Sequence, residues 1–222
     1  MMRLPYKDRI EAGRLLATAL KHYGGRTDVL VLALPRGGVP VAAEVAKELG
    51  VTLDLMLVRK LGTPGHEELA MGAIATGGSQ VLNEDLIRHL AISSDVIEAV
   101  AQKERRELRR REQAYRGDHP MPAMRERCVI LIDDGVATGA TMRAAVAALR
   151  QQDPARIVIA VPVAPPETIV DFQKSVDEVV CLATPTPFLG VGRWYQDFSQ
   201  TSDAEVRALL AEAWERPGDT QA

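Results

Sequence analysis

Aromatic side chains make up only 4% of this 222-residue chain, so aliphatic packing has to build its core. Long hydrophobic runs are missing as well. The longest aliphatic stretches, 29–34 and 157–163, fall far short of the roughly 20 residues that a membrane span requires. The amino end, 1–11, is charged and lacks the apolar region of a secretory signal, so a soluble cytoplasmic protein is expected. Cysteine is limited to Cys128 and Cys181, with no Cys-x-x-Cys pair, which argues for buried reduced thiols over a disulfide framework or a metal site. Neither sign of charge dominates. With 27 basic and 30 acidic residues the net charge is -3, which gives no global attraction to nucleic acid or to anionic membranes. Basic groups must act locally, and no internal repeat or low-complexity segment interrupts the chain.

What is present is an ordinary globular composition, 46% hydrophobic, of a length that suits one domain over 1–222 with its core at about 26–183. Apolar runs at 29–34, 51–58, 129–132, 156–163 and 179–183 read as strands. They alternate with helical patterns at 39–49, from 140 onward and at 166–175. That order predicts an α/β fold, an open parallel sheet of about five strands flanked by helices with right-handed crossovers. Ile10, Leu15, Leu16, Ala19 and Leu20 add a docked helix over 8–22. Thr76-Gly77-Gly78-Ser79 marks a small antiparallel hairpin, and 61–70 reads as a flexible loop, too rich in Gly and Pro for regular structure. A helical insertion over 83–127 carries a long helix with a narrow apolar stripe at Ile97, Ala101, Leu108 and Tyr115. The rest of that helix is charged. Arg105, Arg106, Arg109, Arg110 and Arg111 could touch RNA or a partner subunit, but Glu104, Glu107 and Glu112 interleave at helical pairing distances and favour a solvated, ion-paired face. The segment from 184 gathers Phe188, Trp194, Tyr195 and Phe198 as a satellite core or a stacking platform, before a helix at 203–215 and a frayed end at 216–222.

The chemistry concentrates in 129–141. Val129-Ile130-Leu131-Ile132 is a strand buried on both faces, and it ends in Asp133-Asp134. Adjacent carboxylates repel, so hydroxyls, a cation or basic side chains from outside must answer them. Gly135, Ala137, Gly139 and Ala140 let the backbone curl, and Thr138 and Thr141 add hydroxyls at a helix start, which together make an anion cradle. No Gly-Lys-Ser/Thr and no Gly-x-Gly-x-x-Gly follows, which excludes the nucleoside-triphosphate loop and the dinucleotide turn. A phosphate beside a pair of hydroxyl acceptors describes a ribose 5-phosphate. A second turn, Pro35-Arg36-Gly37-Gly38, also lies between a strand end and a helix start and suits an anion.

These thirteen consecutive positions closely resemble the signature of the type I phosphoribosyltransferases, which bind phosphoribosyl pyrophosphate (PRPP). Gly135 departs from the pattern, since the family more often has an aliphatic residue there. The resemblance implies that Asp133 and Asp134 take the ribose hydroxyls, with Mg2+ at the same acids directly or mainly on ligand oxygens, and that Ala137, Thr138, Gly139, Ala140 and Thr141 take the 5-phosphate. It assigns Arg36, Gly37 and Gly38 to pyrophosphate, and Arg59-Lys60 to the start of a catalytic loop that closes over PRPP. Arg36, Lys60, Asp133 and Asp134 are then the expected catalytic set. Phe188 distantly resembles the base-binding region of hypoxanthine-guanine phosphoribosyltransferases. Those enzymes carry an aspartate where Ala137 stands, so hypoxanthine and guanine are expected to be poor acceptors. His66, Glu67 and Glu68 are the nearest alternative proton carriers. The implied activity is transfer of the phosphoribosyl group between pyrophosphate and a nitrogen acceptor, a nucleobase or similar flat ring, by a homo-oligomer, a dimer by preference. The competing expectation is a PRPP-sensing or RNA-binding regulator that keeps the site without turnover.

Overall fold

A computed structural model describes residues 4–216. The expected frayed end beyond Arg216, and the first three residues of the charged amino end, lie outside the described residues. In chain order the elements are α1 (Arg9–Ala19), β1 (Val29–Ala33), α2 (Gly38–Leu49), β2 (Thr52–Leu55), β3 (Val58–Thr63), β4 (His66–Ala75) and β5 (Gln80–Leu82). Then follow α3 (Glu84–His89), α4 (Ser94–Arg116), β6 (Cys128–Ile132), α5 (Ala140–Arg150), β7 (Arg156–Val163), α6 (Pro166–Gln173), β8 (Glu178–Ala183) and α7 (Asp203–Trp214).

Five strands form a parallel sheet in the order β2-β1-β6-β7-β8. Alternation along these strands sorts the core into two layers. Val31, Ala33, Ile130 and Ile132 pack with Leu16 of α1, Val41 of α2 and Leu210 of α7. Their neighbours Leu32, Val129 and Leu131 pack on the other face with Met142 and Val146 of α5 and Phe172 of α6. Both faces of the central strands are therefore dry, as unbroken aliphatic runs require, and each buried Val, Leu or Ile contributes about 1.5–3 kcal/mol of transfer free energy. The helix ends carry their expected stops. Asp8 caps α1 by accepting from the Glu11 amide at 2.8 Å, Ser202 caps α7 by accepting from Glu205 at 3.1 Å, and α2 stops at left-handed Gly50.

Two expectations are corrected. The run 51–58 is not one strand: β2 ends at Leu55, and β3 begins at Val58 in a second sheet of order β3-β4-β5. The stretch 61–70, expected to lack regular structure, instead belongs to the antiparallel pair β3-β4, whose turn is Pro64-Gly65. Its glycines punctuate strands. Gly65 supplies the positive φ of the turn, and a Cβ at Gly62 would meet the Glu67 carbonyl at 2.8 Å, beside the register shifts around Leu61 to Thr63. The small antiparallel element is consequently a three-stranded sheet. The insertion is tied to the body by the Arg116–Asp54 ion pair, 2.7 Å long and with side chains 6% and 1% exposed.

Candidate functional site

Counted alone, the parallel strands follow the doubly wound order 2-1-3-4-5, which places a crevice at the carboxyl ends of β1 and β6 where the winding reverses. The register makes those ends level: Ala33 lies opposite Ile132, and the Leu34 amide donates to the Ile132 carbonyl at 2.8 Å. Pro35-Gly38 and Asp133-Asp134 thus leave the sheet side by side. The peptide between Pro35 and Arg36 is cis, and Gly37 leads into α2. A Cβ on Gly37 would overlap the Asp134 carboxylate, and one on Gly38 would lie 2.7 Å from the Ile132 carbonyl and 2.9 Å from the Asp133 Cα. Glycine is required here so that the two turns can touch, and the helical φ of Gly37 shows that the reason is space and not backbone freedom.

The two acids differ. Asp133 sits partly exposed at the strand end, and its Oδ1 accepts from the Asp134 amide at 2.8 Å. Asp134 is buried, and its Oδ2 accepts from Arg9 Nε at 2.8 Å. Burial, then the neighbouring Asp134 charge, push the Asp133 carboxyl well above the usual range. Burial also raises Asp134, while Arg9 opposes that rise.

After the acids, a Cβ on Gly135 would lie 2.5 Å from Cγ1 of Val191, which accounts for glycine where the resembling family is more often aliphatic. The loop over 137–141 is exposed at Ala137, Thr138, Ala140 and Thr141, and Gly139 takes a left-handed conformation as the cap of α5. Its outer carbonyls are tied back, with Thr168 Oγ1 donating to Ala137 O at 3.1 Å and Arg143 to Thr138 O. That leaves the free amides of the first turn of α5 at the crevice, an anion-binding arrangement.

The cations reach the crevice from different elements. Arg36 lies 3.8 Å from Asp203 at the start of α7, which also accepts from Tyr115 at 2.6 Å. Arg59 lies 2.6 Å from Glu104 of α4 and lines a small cavity with Pro35 and Thr141. Lys60, exposed, is its neighbour in the same strand and so projects from the other face, which separates two residues that adjacency in sequence had grouped. His66 and Glu67 are exposed on β4, and the Glu68 side chain lies outside the described residues. The aromatic segment is mainly a satellite core: Tyr6, Tyr195 and Val163 are buried together, with Phe188 and Trp194 packed against them. Along α4, Arg105 pairs with Glu98, and Arg110 and Arg111 with Glu107, as the interleaved charges imply.

A side chain at this crevice that sequence reasoning missed is Arg9. Besides Asp134 it donates to the Ser199 carbonyl at 2.7 Å, and its guanidinium lies 4.1 Å from the centre of the Phe198 ring. An arginine opening an amphipathic helix carries no local signal of this. Among the described residues no group of three or more His, Cys, Asp or Glu could hold a metal ion. Asp133 beside Asp134 fits a magnesium ion that keeps water and ligand oxygens for most of its shell, and does not fit an all-protein cage.

Fold and crevice together define a type I phosphoribosyltransferase architecture. The phosphoribosyl transferase domain model matches residues 6–192, and the chain belongs to that family. It is 46% identical over 208 residues, 94% of its length, to Rv0571c of Mycobacterium tuberculosis strain H37Rv, provisionally named a phosphoribosyl transferase. The same figures hold for MT0597 of strain CDC 1551, and the chain spans 47% of the length of each. Its fold is similar to the crystal structure of TT1426 from Thermus thermophilus, with 45% identity, a TM-score of 0.84, and coverage of 95% of this chain and 99% of that one.

Proposed function

We propose that this chain is an enzyme that binds PRPP with magnesium and transfers the 5-phosphoribosyl group between pyrophosphate and a nitrogen acceptor. The observation that carries the proposal is the meeting, at one switch point, of the Arg36-Gly37-Gly38 turn, the Asp133-Asp134 pair and the 137–141 loop. In this reading the loop amides hold the 5-phosphate, the two acids accept from the ribose hydroxyls, and Arg36 with Arg59 faces the pyrophosphate, with Lys60 following on β3. The C1–oxygen bond breaks with its electron pair leaving on pyrophosphate, C1 carries positive charge, and an acceptor nitrogen supplies the pair for the new bond. The acceptor N–H proton then leaves to water. Preorganised cations stabilise the departing charge. Magnesium on the pyrophosphate oxygens would supply further neutralisation, with Asp133 the carboxylate best exposed to hold it.

The acceptor is a flat ring for which hypoxanthine and guanine are poor replacements, because Ala137 offers no proton carrier, and Phe188, Trp194 or Tyr195 would form its wall, Tyr195 already donating to the Asp134 carbonyl. A homodimer in the cytoplasm is the proposed setting. Calorimetric titration of PRPP with magnesium tests the site. Binding at micromolar to submillimolar ligand is expected, Asp133→Asn should weaken it with the fold intact, and no binding at millimolar PRPP would refute the reading. A screen of purine, pyrimidine and pyridine bases for PRPP-dependent pyrophosphate release tests turnover. Binding without release would favour a PRPP-sensing regulator, in which Arg9 keeps Asp134 engaged.

A further inference from the structure

The apolar stripe of α4 continues at spacings of three and four through positions 97, 101, 104, 108, 111 and 115, and two of those six positions are charged. Ala101, Leu108 and Tyr115 of this stripe are buried against the body of the protein, and Glu104 and Arg111 lie beside them, Glu104 largely buried and Arg111 with its side chain 43% exposed. Glu104 has a reason to be there, since it answers Arg59 of β3. Arg111 pairs through Nε, at 2.9 Å, with Glu107 of its own helix, and Glu107 is shared with Arg110 at 2.8 Å. Among the described residues no carboxylate from another element accepts a hydrogen bond from Arg111.

What Arg111 does face is a cavity of about 40 Å³. Its walls are Pro35 of the turn after β1, the chain at 56–58, Arg59, Thr141 at the start of α5, and Arg111 itself. A space of that size holds a few oxygen-sized groups and no aromatic ring. Arg59, Arg111 and Thr141 are the polar residues among its walls, the others being apolar, and with Arg59 already paired to Glu104 this set suits phosphate oxygens.

We infer that Arg111 is a substrate-binding residue, and that the inserted helix completes the anion site by placing it with Arg59 at the pyrophosphate end of PRPP. This inference rests on the PRPP reading of the crevice. Position favours the pyrophosphate end over the 5-phosphate, because Arg59 and Pro35 adjoin the Arg36 turn while only Thr141 comes from the phosphate loop. Glu107 holds the guanidinium between ligands and competes with them for it.

The test is calorimetric binding of magnesium pyrophosphate, PRPP and ribose 5-phosphate to the full chain and its variants. Arg111→Ala should weaken pyrophosphate and PRPP tenfold or more and leave ribose 5-phosphate within about twofold; Arg111→Lys should recover part of the loss. Glu107→Gln should tighten pyrophosphate a few-fold, a gain that a purely structural helix contact would not give. Arg109→Ala, at an exposed position of α4, should change nothing. Pyrophosphate binding to Arg111→Ala within twofold of the parent overturns the inference. Equal loss of pyrophosphate and ribose 5-phosphate overturns the pyrophosphate assignment, and with a lowered melting temperature it marks a structural role. If the parent chain binds none of the three, the PRPP reading itself has failed.

Discussion

Arg9 Nε donates to Asp134 Oδ2 across 2.8 Å of space and 125 positions of sequence, with side chains only 11% and 12% exposed. A buried charge deprived of its partner costs far more than the intact pair contributes. Arg9→Ala should therefore lower unfolding free energy by about 3 kcal/mol in urea titrations. The Arg9→Ala, Asp134→Asn double variant should lose less than the two single losses together, by about 1 kcal/mol or more. Strict additivity would show that the two side chains do not stabilise each other.

The close contact between the two turns makes a separable prediction for neighbouring glycines. Alanine at position 37 suits the helical backbone there but drives a methyl into the Asp134 carboxylate, a side chain that can shift. PRPP affinity should fall about tenfold, about 1.4 kcal/mol, and stability should fall with it, since a displaced Asp134 carboxylate strains its pair with Arg9. Alanine at position 38 meets the Ile132 carbonyl and the Asp133 Cα, which are backbone and cannot yield. Gly38→Ala should cost about 1–3 kcal/mol of stability by overpacking. Paired calorimetry and urea unfolding distinguish the two outcomes.

The insertion is held by Arg116, whose Nε meets Asp54 at 2.7 Å and whose Nη2 donates to the Leu55 carbonyl at 2.8 Å. Burial raises the Asp54 carboxyl while Arg116 pulls it down, and among the described residues Asp54 Oδ2 has no hydrogen-bond partner. Arg116→Ala leaves that carboxylate alone in the core and should cost about 3–5 kcal/mol. Limited proteolysis should then cut within 117–127 faster than in the parent, and an unchanged cleavage rate would mean that other contacts hold the insertion.

Burial pushes the Cys181 thiol up to about 11 and raises Cys128 as well. Cys128, which is buried, should resist labelling by disulfide reagents at pH 7–8 in the folded protein, half-buried Cys181 should label slowly, and both should react at once in denaturant. A thiol whose folded pKa is raised adds stability that is complete below the ordinary thiol pKa of about 8.5. That stability is lost as pH climbs towards 11, so the chain should weaken over that alkaline window. Cys181→Ala should flatten this dependence in urea titrations followed from about pH 8 to 11.

The strands and helices of the parallel sheet were legible because their signals are local. β7 coincides with the run 156–163, and α7 begins at the Asp203 that Ser202 caps. The 129–141 stretch and the Pro35-Arg36-Gly37-Gly38 turn were legible as two separate strand-to-helix turns, and their meeting was not. The stretch 61–70 was misread because Gly and Pro mark strand turns and bulges as readily as loops, and only cross-strand pairing distinguishes the two.

The sequence by itself determined the α/β order, the dry strand ending in two acids, and the small-residue loop that follows, since each is written in consecutive residues. Tertiary structure alone decided which side chains answer those acids. Arg9 reaches Asp134, Asp203 holds Arg36 and Glu104 holds Arg59, while Lys60 is turned from its neighbour by strand alternation. Such partnerships depend on distances between elements far apart in the chain. No local periodicity encodes them, because a charge is stabilised by whatever the fold brings within a few ångströms, not by its neighbours in sequence.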